Sequence, residues 1–155
     1  MKFRLVDKIT AWTPYQHISG TKTVSFEEYC LKEAFGEEPR LPETLLLESF
    51  LQLGNWLIML SSGFKEMGIA VRISEVRFHG CLKPGQKLRL EVQSLRRRAE
   101  GFELTGEGQV EGRQVISGLG CLAVPVPLAE YLNPQDMQVL FSEIYEPPGV
   151  PASKQ

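Results

Sequence analysis

The sequence predicts an α+β domain in which an antiparallel sheet wraps around one long central helix, with a second helix after the sheet. Three observations lead there. The run from Glu43 to Leu60 is apolar on nearly every side, which marks an enclosed helix rather than a surface one. Downstream of it, apolar residues alternate with polar ones over several stretches, the period of half-buried strands. The order of these segments, two extended pieces, the buried helix and then successive strands, suits a sheet folded about a helix.

Residues 3–14 and 17–26 read as extended segments, with Pro14 and Gly20 marking turns or irregularities. Ser25-Phe26-Glu27-Glu28 has the form of a capped start to a short helix reaching about Lys32. Gly36 to Pro42 is too rich in Gly and Pro for regular structure. Pro42 then suits the first position of the central helix, and Glu43 the positive end of its dipole. Gly63 or Gly68 is expected to end it. Val71 and Ile73 are out of phase with Val76 and Phe78, which predicts a turn near Ser74-Glu75 and a short strand beyond. Leu88, Leu90 and Val92 alternate with Lys87, Arg89 and Glu91. Phe102, Leu104, Gly106, Gly108 and Val110 alternate again, and Glu111-Gly112-Arg113 turns the chain into a strand over Val115–Val124. Asn133-Pro134 opens the second helix, with Met137, Leu140, Phe141 and Ile144 on one face. Residues 1–126 are thus expected to form the domain, 127–146 a helical extension and 147–155 a disordered tail.

Composition narrows the function. The 155 residues are 43% hydrophobic and 23% charged, with a net charge of -2, so nothing in bulk attracts nucleic acid or an anionic membrane. Arg96-Arg97-Arg98 reads as a solvated charge run or a local contact for an acidic partner. Cys30, Cys81 and Cys121 are odd in number and widely spaced, consistent with free thiols in a reducing compartment and with no disulfide framework or metal site. The opening residues have no apolar core of a secretory signal, and Glu48, Gln52 and Asn55 interrupt the longest apolar stretch. A cytoplasmic protein that does not span a membrane is the expectation.

Those three polar residues, at i, i+4 and i+7, share one face of the apolar helix. A carboxylate on a buried helix suits a general acid or base, with the amides positioning it or holding a substrate carbonyl. Core polar groups satisfied by loop backbone, or a subunit contact, explain the same stripe.

The stretch Glu33-Ala34-Phe35-Gly36-Glu37-Glu38-Pro39-Arg40-Leu41-Pro42-Glu43, continuing to Glu48, resembles the signature GHFPxxPxxPGxxxxE of the FabA/FabZ-type 3-hydroxyacyl-acyl-carrier-protein dehydratases. Phe35, Pro39, Pro42 and Glu48 fall on it without a gap. Phe3–Asp7 looks like that family's opening strand, Val76-Arg77-Phe78 with Pro84-Gly85 like its third strand and turn, and Leu95–Arg98 like the end of its fourth. The resemblance covers about residues 3–125 and implies a single hot-dog domain. In that family the histidine removes the C2 proton of a 3-hydroxyacyl thioester. The helix carboxylate protonates the leaving hydroxyl, and a backbone N–H at the helix start polarises the carbonyl. The resemblance therefore makes Glu48 the catalytic carboxylate and places Ala34, Phe35, Pro42, Glu43, Gln52, Asn55 and Phe78 around the substrate. Ala34 stands where the histidine would be and Glu43 where the glycine would be.

His17 and His79 are the only histidines; His79, at a strand end that lies at the dimer contact in relatives, is an outside candidate for the missing base. Four readings follow. The chain binds acyl-carrier-protein or CoA thioesters and depends on a partner for dehydration; it is a thioesterase using Glu48; it dehydrates with His79; or it is a structural dimer. No cofactor or metal is implied. The partners implied are the thioester and a second subunit, as a homodimer, a trimer of dimers or a heterodimer with a histidine-bearing relative.

Overall fold

The computed structural model describes residues 4–27 and 38–149, and at 95–98 the backbone alone. Ala34, Phe35, Cys30, most of the helix expected over 25–32 and the last six residues of the tail lie outside the described residues. Among the described residues six strands form one antiparallel sheet: β1 Lys8–Thr13, β2 His17–Thr23, β3 Glu66–Phe78, β4 Lys87–Arg98, β5 Gly101–Val110 and β6 Arg113–Pro127, in the spatial order β1-β2-β4-β5-β6-β3. Helix α1, Glu43–Ser61, lies between β2 and β3 in sequence and packs on β2, β3, β4, β5 and β6. By length and composition α1 could cross a membrane, but in this fold it is the helix the sheet curls around.

The grip is set by alternation and by glycine. Leu88, Leu90 and Val92 are fully buried, as are Phe102 and Leu104 to within 2%. Their apolar faces meet Leu46, Phe50, Leu53 and Leu57 of α1 in one continuous core. Burial of this kind stabilises by about 1.5–3 kcal/mol for each large aliphatic or aromatic side chain. Phe50 sits over Gly106 and Gly118. A Cβ at Gly106 would lie 2.1 Å from the Glu91 carbonyl oxygen and 2.7 Å from the Phe50 ring, and one at Gly118 would lie 3.1 Å from that ring. The sheet bends close to the helix because those positions carry no side chain.

Several boundaries differ from the expectation. Residues 4–7 are not a strand; they run beside α1, burying Leu5 and Val6, and β1 begins at Lys8. Gly20 lies inside β2, opposite a bulge between Ile9 and Ala11. Pro42 caps α1 with an extended ψ of 141° rather than occupying its first turn, and Glu43 is the first helical residue. The helix ends at Ser61; Gly63 at φ +64° and Phe64 at φ +61° carry the chain out, and Gly68 lies in β3. No turn interrupts Ser74-Glu75. β3 is one strand of 13 residues with a bulge between Ala70 and Arg72, and from Arg72 to Phe78 it pairs with β6 without a further shift. Ile73 and Val76 both pack against the core while Val71 and Phe78 are exposed, so the apolar spacing does not mark a turn. The bulge inserts one residue without ending the pairing.

The segment before α1 is fixed from outside: Leu41 N–H donates to the Leu82 carbonyl at 2.8 Å, and Glu38 pairs with Lys83. The Lys83 ammonium, donating to the Glu38 carboxylate, holds that carboxyl below its ordinary range. After β6, a 3-10 turn at Leu128–Glu130 leads to helix α2, Pro134–Ile144. The Asn133 side chain accepts from the Gln135 N–H at 2.9 Å, an N-cap. Phe141 packs between Trp56 and Phe64 of the α1 region and Tyr145, with ring centroids 4.9–6.3 Å apart. Glu146 N–H then donates to the Ile9 carbonyl at 2.9 Å.

Candidate active site

Glu48, Gln52 and Asn55 come together on the side of α1 turned from the deepest core. They line a cavity of about 160 Å³ whose other walls are Leu51, Gly68, Ala70, Leu104, Cys121 and Ala123, supplied by α1, β3, β5 and β6. A carboxylate and two amides therefore look into a small, mainly apolar space.

Each polar group is held. Gln52 Nε2 donates to Glu48 Oε1 at 3.0 Å, while Gln52 Oε1 accepts from the Leu5 N–H at 3.0 Å. The N-terminal segment thus orients Gln52, and Gln52 orients the carboxylate. Asn55 Oδ1 accepts from the Gly68 N–H at 2.8 Å, where β3 starts past the helix. That leaves the Asn55 amide N–H₂ without an acceptor among the described residues. Among the described residues no buried side-chain polar atom lacks a partner, so this donor is not sealed away. Across the cavity the Cys121 side chain is fully buried, and desolvation pushes its thiol pKa up.

Neither histidine approaches. His17 lies 3.9 Å from Glu91, on strands β2 and β4. His79 lies just past β3 with Nε2 3.1 Å from Ser117 Oγ. Ser117 lines a different cavity with Glu75, Glu91 and Glu107, whereas its neighbour Gly118 faces Phe50. Since successive strand residues point to opposite faces, Ser117 and the bonded His79 ring lie on the sheet face away from α1. Within one chain the His79 ring and the Glu48 carboxylate thus lie on opposite faces of the sheet.

Pro42 and Glu43 open α1, the latter exposed, and Phe78 ends β3, 42% exposed. None of the three lines the Glu48 cavity, and Ala34 and Phe35 lie outside the described residues. The alternation at Phe102, Leu104 and Gly106 pointed to the inner face that supplies Leu104. No pattern in the sequence singled out Gly68 or Ala123 as cavity walls. Among the described residues, no group of three or more His, Cys, Asp or Glu side chains converges as a metal site.

A six-stranded antiparallel sheet curled about one helix, with a helix carboxylate facing a cavity, defines a hot-dog protein. Residues 1–118 match the model of the FabA-like domain, and the chain belongs to that family. It is 29% identical over 125 residues to the 3-hydroxyacyl-acyl-carrier-protein dehydratase FabZ of Nitratidesulfovibrio vulgaris (strain DSM 19637 / Miyazaki F), covering 79% of this chain and 81% of that protein. Among solved structures, it resembles a hypothetical thioesterase with coenzyme A from Streptococcus pneumoniae TIGR4, at 12% identity and a TM-score of 0.59 over 77% of this chain and 85% of the other. It also resembles the dehydratase heterocomplex ApeI:P from Xenorhabdus doucetiae, at 16% identity and a TM-score of 0.56 over 71% and 88%. These two likenesses establish the fold.

Proposed function

We propose that the chain binds acyl thioesters of carrier protein or CoA, and supplies Glu48 to a dehydratase site whose histidine comes from a different subunit. The observation that carries this reading is a carboxylate held by Gln52 at an apolar cavity that neither His17 nor His79 reaches. The motif position for the base is Ala34, which cannot move a proton. Losing a general base costs about 10²–10⁴-fold in rate, so a homodimer of this chain would dehydrate poorly.

In this reading Glu48 protonates the departing 3-hydroxyl, the partner's imidazole takes the C2 proton, and the Asn55 N–H₂ donates to an oxygen of the substrate. The dehydratase names of the relatives support the substrate class, and the heterocomplex among the fold neighbours supports a two-chain arrangement. β3 supports a docking edge: it ends the sheet, and Ile69, Val71 and Phe78 on it are exposed. An outer strand with unpaired N–H and C=O groups and apolar side chains is suited to pairing with another sheet.

The test is hydration of a crotonyl thioester. The chain alone should be nearly inactive, and Ala34→His should gain activity. Co-expression with a histidine-bearing FabZ-type subunit should give a heteromeric enzyme whose activity falls about 10²-fold or more with Glu48→Gln in this chain. A partner equally active whether Glu48 is present or replaced would sink the proposal. Steady thiol release from acyl thioesters, lost in Glu48→Gln, would instead favour hydrolysis with Glu48 as base or nucleophile.

A further inference from the structure

Helix α2 lies beyond the residues matched by the family model, and it builds a second cavity. That space, about 570 Å³, lies between the N-terminal segment, α1 and α2. Its walls are Val6, Trp56, Met59, Met137, Leu140 and Ile144, with Arg4 and Asp136 also on its lining. The packing across it is unfinished. Trp56 and Met59 are buried, but no residue of α2 is, although its apolar face turns toward them. An amphipathic helix normally covers its stripe fully against the core; here Met137, Leu140 and Ile144 keep part of theirs open. Gln52 and Asn55 line both this cavity and the smaller one at Glu48. The two spaces therefore adjoin across that pair of amides.

We infer that this second cavity holds the far end of an acyl chain whose thioester lies at Glu48, which makes α2 the element that sets preferred chain length. The inference rests on the acyl-thioester reading above. The chemistry favours an unbranched hydrocarbon tail. Seven of the eleven lining residues are apolar, with Arg4, Asp136, Gln52 and Asn55 the polar ones. Methionines face the space from both helices and adapt to a flexible chain, and the volume lies within the usual range for small-molecule sites. The amides at the junction suit the carbonyl end, and the apolar walls beyond them suit the tail.

Butyryl-, octanoyl- and dodecanoyl-pantetheine, bound to the full chain and followed by calorimetry, give the test. In the parent protein affinity should rise with chain length. Leu140→Trp, which fills the cavity, should weaken dodecanoyl binding about tenfold or more, as expected for several methylenes returned to water, and leave butyryl binding within about twofold. A second measurement needs no bulky variant. In a Trp12→Phe background, Trp56 is the only tryptophan, and an acyl-pantetheine brominated at its terminal carbon should quench its fluorescence. Equal loss at all lengths in a folded Leu140→Trp protein, or no change at any length, overturns the inference. So does absent quenching by a bromoacyl thioester that binds. Quenching by free bromododecanoate alone, with none by the thioester, also overturns it and leaves an independent fatty-acid site. If no thioester of any length binds, the functional reading itself fails; if butyryl binds normally and length has no effect, only the role of α2 does.

Discussion

Gln52 is the residue on which the site turns, because it reads the position of the N-terminus and passes it to Glu48. One amide oxygen is occupied by the Leu5 N–H and one amide nitrogen by the carboxylate, so neither end rotates independently. Opposite, the Cys121 thiol is buried in the cavity wall. Its folded pKa lies above the ordinary value, so the neutral thiol is favoured; that contribution to stability is present below the unfolded pKa and is lost as pH rises through the folded one. Iodoacetamide at pH 8 with peptide-mapped mass spectrometry should therefore modify half-buried Cys81 well before Cys121, and a denaturant should level the two. Comparable native rates at both would contradict the burial of the cavity wall.

At the scale of elements, the β5–β6 hairpin turns through Glu111 at φ +51° and Gly112 at φ +77°, with Val110 paired to Arg113. Two positive φ angles match the twist of the strands, but a glutamate at the first is an unfavourable choice. Glu111→Asn should stabilise the fold by ~0.5–1 kcal/mol and raise Tm by roughly 1–4 °C, measured by thermal unfolding. An unchanged or lower Tm would contradict it. This hairpin was legible because a two-residue turn with Gly sits between alternating runs, and the polar stripe at Glu48, Gln52 and Asn55 was legible because helical spacing places it on one face. The continuity of β3 was not legible because this outer strand carries exposed apolar side chains, Val71 and Phe78, beside Ile73 and Val76 that pack on the core, so apolar spacing does not follow burial. The donors to the Gln52 and Asn55 amide oxygens were hidden for another reason: both are backbone N–H groups, of Leu5 and Gly68, whose placement depends on tertiary packing and on no side-chain pattern.

For the whole molecule, the two outer strands of the sheet differ. β3 is long and carries Val71, 56% exposed, at its bulge. Val71→Arg should weaken self-association or pairing with a related subunit about tenfold or more, measured by analytical ultracentrifugation, because an unpaired charge is costly to desolvate. Association unchanged in that variant would place the interface elsewhere. At the opposite flank, Tyr145 bridges Ile9 in parallel and Glu146 donates to its carbonyl, while β1 itself is bulged against β2. The chain's own C-terminal turn thus occupies the rim that another molecule would need for growth in that direction. On the proposed pairing through β3, a plugged opposite flank stops strand addition after one pairing and favours a closed pair over a fibre.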